Sequence, residues 1–260
     1  MSSSAVPVRP AASVLLLRPA DELGVEVFTI TRATSMAFAA GMTAFPGGGV
    51  DASDAEPVQA WAGPDAPWWS AALGSATAGE VVVAAVRELF EEVGVLLAGN
   101  THGRPAAVTE ELAAARAELA EHRLSLADLL ARGDLALRAD LLRPWARWIT
   151  PPGQPRRYDT YFFVAALPDG QRAEVHTTEA EAGGWARPAE LLEAYRAGRL
   201  AMLPPTVVVL AELAEHRDLP DVMAAPRRIR PVEPEIVSRP GEPLRIKVNG
   251  VEIDLMGTPR

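Results

Sequence analysis

Cysteine is absent from the 260 residues, which excludes disulfides, thiolate nucleophiles and cysteine-bound zinc. Lysine occurs once, at Lys247, so no mechanism can use a catalytic lysine anywhere else. The four histidines (His102, His122, His176 and His216) are scattered, and no two share a metal-ligand spacing. Positive charge is scarce: 25 basic against 34 acidic residues leave a net charge of −9. That balance excludes the broad basic surface of a general nucleic-acid binder. An acidic chain still accepts anionic phosphates where metal ions and local arginines supply the attraction. The apolar run V-V-V-A-A-V at 81–86 falls far short of a membrane span. The opening M-S-S-S-A-V-P-V-R-P lacks a hydrophobic signal core, and the closing G-T-P-R is not a peroxisomal address. A cytoplasmic protein that engages neither membrane nor nucleic acid is the expectation.

What is present is concentrated between Phe45 and Val95. The stretch opens on F-P-G-G-G-V-D and closes on A-A-V-R-E-L-F-E-E-V-G-V. In the second part Val82, Ala85, Val86, Leu89 and Val93 recur at helical spacing and predict a buried face. Glu88, Glu91 and Glu92 stand at i, i+3 and i+4, so three carboxylates project from one patch of the other face. Such a patch is either a solvated acidic surface or a cradle for a hard divalent cation, Mg²⁺ or Mn²⁺. The glycines at 47–49 let the backbone pass close to the helix.

Along the chain, residues 1–11 read as a flexible terminus and 12–260 as one domain. Ala12–Arg18 and Gly24–Arg32 read as paired strands, and Met36, Phe38 and Met42 are available to pack or to line a pocket. Residues 52–78, with Trp61, Trp68 and Trp69, form an inserted excursion that packs back through its indoles. A second insertion, at about 100–142, holds a helix over Thr109–Arg123 and short helices over Leu126–Ala131 and Leu135–Leu142. Trp145–Thr150 and Tyr158–Leu167 are strands, Pro188–Ala197 and Thr206–His216 helices, and Leu244–Asp254 a hairpin around Asn249-Gly250. The pattern predicts an α+β fold, an α/β/α sandwich in which a mixed sheet packs between helices.

These residues resemble the signature of the Nudix hydrolase family: a glycine, five residues, Glu, seven residues, then R-E-U-x-E-E-x-G-U with U apolar. Arg87-Glu88-Leu89-Phe90-Glu91-Glu92-Val93-Gly94-Val95 matches the second half at every defined position, and Phe45-Pro46-Gly47-Gly48 matches its usual lead-in. Counted back from Arg87, the leading glutamate falls at Gly79, which leaves its neighbour Glu80 to replace it. The excursion splits the pattern, as in a subgroup that includes the peroxisomal coenzyme A diphosphatases of animals. R-Y-D-T-Y-F-F at 157–163, Trp185–Pro188 and Pro204-Pro205-Thr206 are similar to that subgroup too.

The resemblance implies a Mg²⁺- or Mn²⁺-dependent diphosphatase acting on a small nucleoside diphosphate derivative, coenzyme A or acyl-CoA in first place. NADH or ADP-ribose, or nucleotide binding without hydrolysis on the same scaffold, are the alternatives. It implies Glu88, Glu91 and Glu92 as metal ligands, with Glu91, Glu92 and Arg87 at the centre of catalysis. Arg32, Gly47, Gly48 and Arg157 are expected to bind substrate, the arginines through its phosphates. Glu179 or Glu181 is expected to add a further carboxylate, and a homodimer is expected.

Overall fold

The computed structural model describes residues 6–21, 23–36, 39–100, 104–238, 245–248 and 250–254. Phe38, His102, Asn249 and residues 1–5 of the expected flexible terminus lie outside them. In chain order, β1 (Val8–Pro19) and β2 (Val25–Arg32) are followed by the short β3 (Thr43–Ala44) and β4 (Gly47–Gly49). Then come β5 (Trp61–Ala62), α1 (Ala66–Leu73), α2 (Ala78–Val93), β6 (Ala98–Gly99), α3 (Glu110–Ala120), α4 (Leu126–Arg132) and β7 (Ala136–Arg138). The long strands β8 (Leu142–Ile149) and β9 (Arg157–Ala166) precede β10 (Ala180–Ala186), α5 (Pro188–Arg196), α6 (Pro204–Leu213) and α7 (Leu219–Ala224). Four short strands end the described chain: β11 (Pro231–Val232), β12 (Glu235–Ile236), β13 (Arg245–Val248) and β14 (Val251–Asp254).

The main sheet runs β10-β2-β1-β9-β8-β11, with β3 added to β2 and β4 to β1. It is mixed: β1 and β9 pair in parallel over ten registered residues, from Val8 with Arg157 to Leu17 with Ala166, whereas β1 meets β2 and β4 antiparallel. Strand β1 begins at Val8, so the order reaches further into the N-terminus than its proline and small residues suggest; pairing with β9 supplies what local propensity does not. The run V-L-L-L in β1 lacks the alternation of a half-exposed strand because both faces are covered. Val14 and Leu16 join the core beneath α1 and α2, while Leu15 and Leu17 join a second core under α5 and α6. In β9, Tyr161 and Phe163 divide from Phe162 and Val164 in the same way. This is the expected α/β/α sandwich. Among the described residues no single helix is long and apolar enough to cross a membrane.

The two insertions are stitched together. β5, from the first, pairs in parallel with β7, from the second, placing Trp61 beside Leu137, and β6 closes a three-stranded sheet. Of the helix expected over Leu135–Leu142, only a single 3-10 turn at Ala139–Leu141 forms, after the strand β7. The apolar residues of that stretch fit a strand equally well, and the partner Trp61 lies too far away in sequence for periodicity to reveal. In α1, Asp65 caps the helix by accepting the Trp68 N–H at 2.9 Å, and the next turn buries Trp69 completely. The Trp69 ring meets Phe163 of the main sheet edge-to-face, with centroids 5.9 Å apart. Trp69→Ala is accordingly expected to cost about 3–5 kcal/mol, read as a lowered midpoint in urea with the slope unchanged. A surface excursion that could be removed freely would show no such loss.

Candidate active site

Helix α2 brings the carboxylates to the sheet. Its apolar side is fully buried from Val81 to Val86, and the last two turns carry Arg87, Glu88, Glu91 and Glu92 to the strand end where β4 meets β1. It stops at Gly94, in the left-handed conformation at φ 71°, where the amide donates back to Phe90 O. Only glycine fits there for a second reason: a Cβ would lie 2.9 Å from the ring of His176. The segment bearing that histidine is strapped across the helix end by Glu174 N–H to Val93 O at 3.1 Å and His176 N–H to Glu92 O at 2.8 Å.

Arg87 is the hub. It is 3% exposed, and its Nε–H and Nη2–H donate to both carboxylate oxygens of Asp54 at 2.8 and 3.0 Å, a bidentate pair. Asp54 is itself 2% exposed and also accepts the Asp51 N–H at 2.7 Å. The remaining guanidinium protons go to Glu88 Oε1 at 2.9 Å, to Glu91 at 3.3 Å and to Gly49 O at 2.8 Å. Glu92 turns the other way and accepts the Gly47 N–H at 2.7 Å. Burial alone would lower the basicity of Arg87; the Asp54 hydrogen bond and the charges of Glu88, Asp54 and Glu91 instead hold it well above the ordinary value.

The glycine turn is shaped by these side chains. Gly47 has φ 151°, and a Cβ there would meet Ala12 O at 2.2 Å. At Gly48 a Cβ would meet the Glu88 carboxylate, with Oε1 at 2.4 Å and Cδ at 2.6 Å. Gly48→Ala must therefore push Glu88 aside. A displacement of about 1 Å at a reacting centre costs about 10²-fold in rate, so turnover is expected to fall by that order while the melting temperature stays close to wild type.

Asp54 is the residue that the backward count overlooks. Six positions forward from Gly48 the family spacing reaches Asp54, so the leading acid of the pattern lies before the excursion, as aspartate. Glu80 does not take its place. It sits in the first turn of α2, eight residues from Glu88, about 12 Å along the axis, and borders only a smaller cavity.

Three of the carboxylates pack against one guanidinium, and a fourth, Glu92, packs behind the glycine turn. Burial is the main cause that pushes the Glu88 carboxyl up to about 7, aided by Glu91 and opposed by Arg87. Glu92 is pushed up to about 8, by burial and then by Glu88, against the Gly47 amide and Arg32. Glu91 shifts upward as well, again chiefly by burial. Among the described residues no three such side chains are already converged as ligands, because Glu88 and Glu91 turn to Arg87 and Glu92 to Gly47. The donor set is nonetheless what a hard divalent cation uses: several carboxylate oxygens with too little positive charge to balance them.

Arg87, Glu88, Glu91 and Glu92 line one end of a cavity of about 1190 Å³, and Asp54 lies behind them, outside it. Arg32, Gly47, Gly48 and Glu179 line it with them, and both Arg32 and Glu179 act electrostatically on Glu92. Two expected site residues are elsewhere. Glu181 accepts the N–H and Oγ1–H of Thr34, both at 2.8 Å, and so braces the chain after β2. Arg157 donates to Thr150 O at 2.9 Å and to Glu233 at 2.6 Å and does not reach the cavity, whereas its neighbour Arg156 does. His122, at the end of α3, places Nδ1 2.9 Å from Asp51 Oδ2 at the cavity rim, a residue that spacing alone does not single out.

Residues 67–213 match the family model described as the NUDT19 Nudix domain. The chain is 31% identical to the acyl-coenzyme A diphosphatase NUDT19 of Gallus gallus, over 82% of this chain and 70% of that protein. It is 30% identical to nudix hydrolase 7 of Caenorhabditis elegans, over 81% of this chain and 62% of the relative, so it spans less than two thirds of that protein's length. The crystal structure of a NUDIX hydrolase from Alicyclobacillus acidocaldarius superposes with a TM-score of 0.72 at 28% identity, covering 86% of this chain and 98% of that one.

Proposed function

Because this chain belongs to the Nudix hydrolase family, we propose that it is a divalent-metal-dependent diphosphatase whose substrate is coenzyme A or an acyl-coenzyme A. The observation that carries this reading is the buried carboxylate cluster on α2, held by Arg87 and the glycine turn at the end of a large cavity. The acyl-coenzyme A diphosphatase among the relatives supports that choice of substrate.

In the reaction, water adds to one phosphorus as the bridging P–O bond breaks. The bond's electron pair leaves on the bridging oxygen, now part of the second phosphate, so two phosphomonoesters form and protons pass to solvent. Glu88, Glu91 and Glu92 are the residues that would hold Mg²⁺ or Mn²⁺, which supplies charge neutralisation of the diphosphate and an acidified water. Arg87 keeps Glu88 and Glu91 at fixed angles, and Asp54 keeps Arg87 from swinging out. The Gly47 amide fixes Glu92. Arg32 and Arg156 face the same cavity and attract the phosphates.

The test is a panel of coenzyme A, acyl-coenzyme A, NADH and ADP-ribose with Mn²⁺, products identified by mass spectrometry. Release of 3′,5′-ADP and a 4′-phosphopantetheine product supports the proposal. Cleavage confined to NADH or ADP-ribose overturns the substrate, and no cleavage of any member overturns hydrolysis itself.

A pH dependence follows from the raised carboxyls. Glu88 and Glu92 titrate at about 7 and 8 in the fold, against 4.5 as the ordinary value. Without a cation the folded state holds more protons than the unfolded one across that window, so their contribution to stability is present below pH 4.5 and is lost as pH rises to 8. A bound cation must displace those protons. Mn²⁺ affinity is expected to strengthen about tenfold per displaced proton for each pH unit up to 7, levelling off above 8. The gain in melting temperature on adding Mn²⁺ should accordingly be larger at pH 8 than at pH 6, and equal gains would refute the assignment.

A further inference from the structure

The cavity is larger than a diphosphate and a nucleoside require, and its far wall is different in kind. Phe45, Trp148, Phe162 and Ile246 line it and belong to the second core, on the opposite side of the sheet from α2. Pro234 and Ile236 complete that wall. Three of the six come from residues beyond 231, outside the 67–213 family match. Two contacts bring this returning chain to the cavity. β11 pairs with β8, setting Val232 beside Trp148, and Glu233 accepts from Arg157 at 2.6 Å. Pro234 and Ile236 follow at once, and β12 pairs Ile236 with Ile246 of β13. Ile246 is 1% exposed, whereas Ile236 is half exposed, with nothing of the described chain closing over it.

We propose that this C-terminal segment is the tail-binding wall of the site, which receives the aliphatic end of an acyl-thioester diphosphate substrate and sets the chain length that is accepted. The inference rests on the diphosphatase reading for the position of the diphosphate, at the carboxylate end of the cavity. A nucleobase against the far wall would need partners for its polar edge. Five of these six side chains offer only carbon and the sixth, Trp148, brings a single N–H; the polar groups beside them are the hydroxyls of Thr150, just after β8, and of Tyr158 and Thr160 on β9. Methylene groups need only area, and burial of each is worth about fourfold in affinity. Arg157 then acts as the clasp that holds the wall in place through Glu233, which accounts for its burial away from the phosphates.

Binding is measured by calorimetry with the Glu92→Gln protein, which leaves the far wall intact, using straight-chain acyl-coenzyme A thioesters of 2 to 12 carbons at an Mn²⁺ concentration high enough to offset the weaker metal binding of this variant. Affinity is expected to rise about fourfold per methylene before it levels off. Ile236→Glu, at a half-exposed position that the fold tolerates, should weaken the longest chain at least about tenfold and the shortest less than about twofold. Glu233→Gln should flatten the same series by loosening the wall. A series without chain dependence, or one that Ile236→Glu leaves unchanged, overturns the proposal. Hydrolysis of coenzyme A by the wild type is scored separately: cleavage with a flat binding series sinks the wall and spares the diphosphatase, and a steep series without cleavage does the reverse.

Discussion

Glu92→Gln is expected to lower kcat on a diphosphate substrate by about 10³-fold, equivalent to about 4 kcal/mol of barrier, while making the metal-free protein more stable at pH 8. The two effects share one cause. Glu92 is 5% exposed and faces Glu88, so its negative charge is costly in the absence of a cation. Glutamine keeps the shape and the acceptor for the Gly47 amide but removes the charge, so the fold is relieved wherever Glu92 would be ionised. With Glu92 titrating at about 8, the relief should appear in thermal melts at pH 8 and vanish near pH 4. The charge that harms the empty fold is the one a divalent ion requires, so the same substitution should weaken Mn²⁺ binding and the hydrolysis that depends on it. A general packing defect would lower activity and stability together. Activity retained within about threefold would remove Glu92 from the metal site.

Helix α2 was legible because its two periodicities are local: apolar spacing fixes the buried face, and the acidic positions fall on the other. The sandwich was legible too, since a strand as apolar as β1 must be covered on both sides. What escaped depended on contacts between distant segments. β7 reads as helix until Trp61 is known to lie beside Leu137. Arg157 reads as a phosphate ligand by its residue type, and only the return of the chain at Glu233 gives it another partner. Asp54 is a different case. The spacing from Gly48 was on view in the sequence, but the excursion makes the forward and backward counts disagree. What settles the choice between them is the buried ion pair.

That ion pair sets the last expectation. Asp54→Ala leaves the Arg87 guanidinium, 3% exposed, without its bidentate partner, and strands the Asp51 amide as well. Breaking a buried pair from one side costs about 3–5 kcal/mol, because the surviving charge stays desolvated. Urea denaturation should show a loss of that size, provided that Glu88 and Glu91 do not take over the vacated protons. To the extent that they do, the penalty moves from stability to catalysis: both carboxylates are drawn further onto Arg87, and metal affinity and turnover fall by about 10–100-fold. A second substitution separates the two outcomes. Adding Arg87→Met to Asp54→Ala removes the orphaned charge, so it should recover part of the stability, the rest staying lost because Glu88 and Glu91 lose their counter-charge. It cannot recover activity, since nothing then fixes the angles of Glu88 and Glu91. If the double variant regained turnover as well as stability, Arg87 would be a fold-stabilising residue only, and the orienting role given to it here would be wrong.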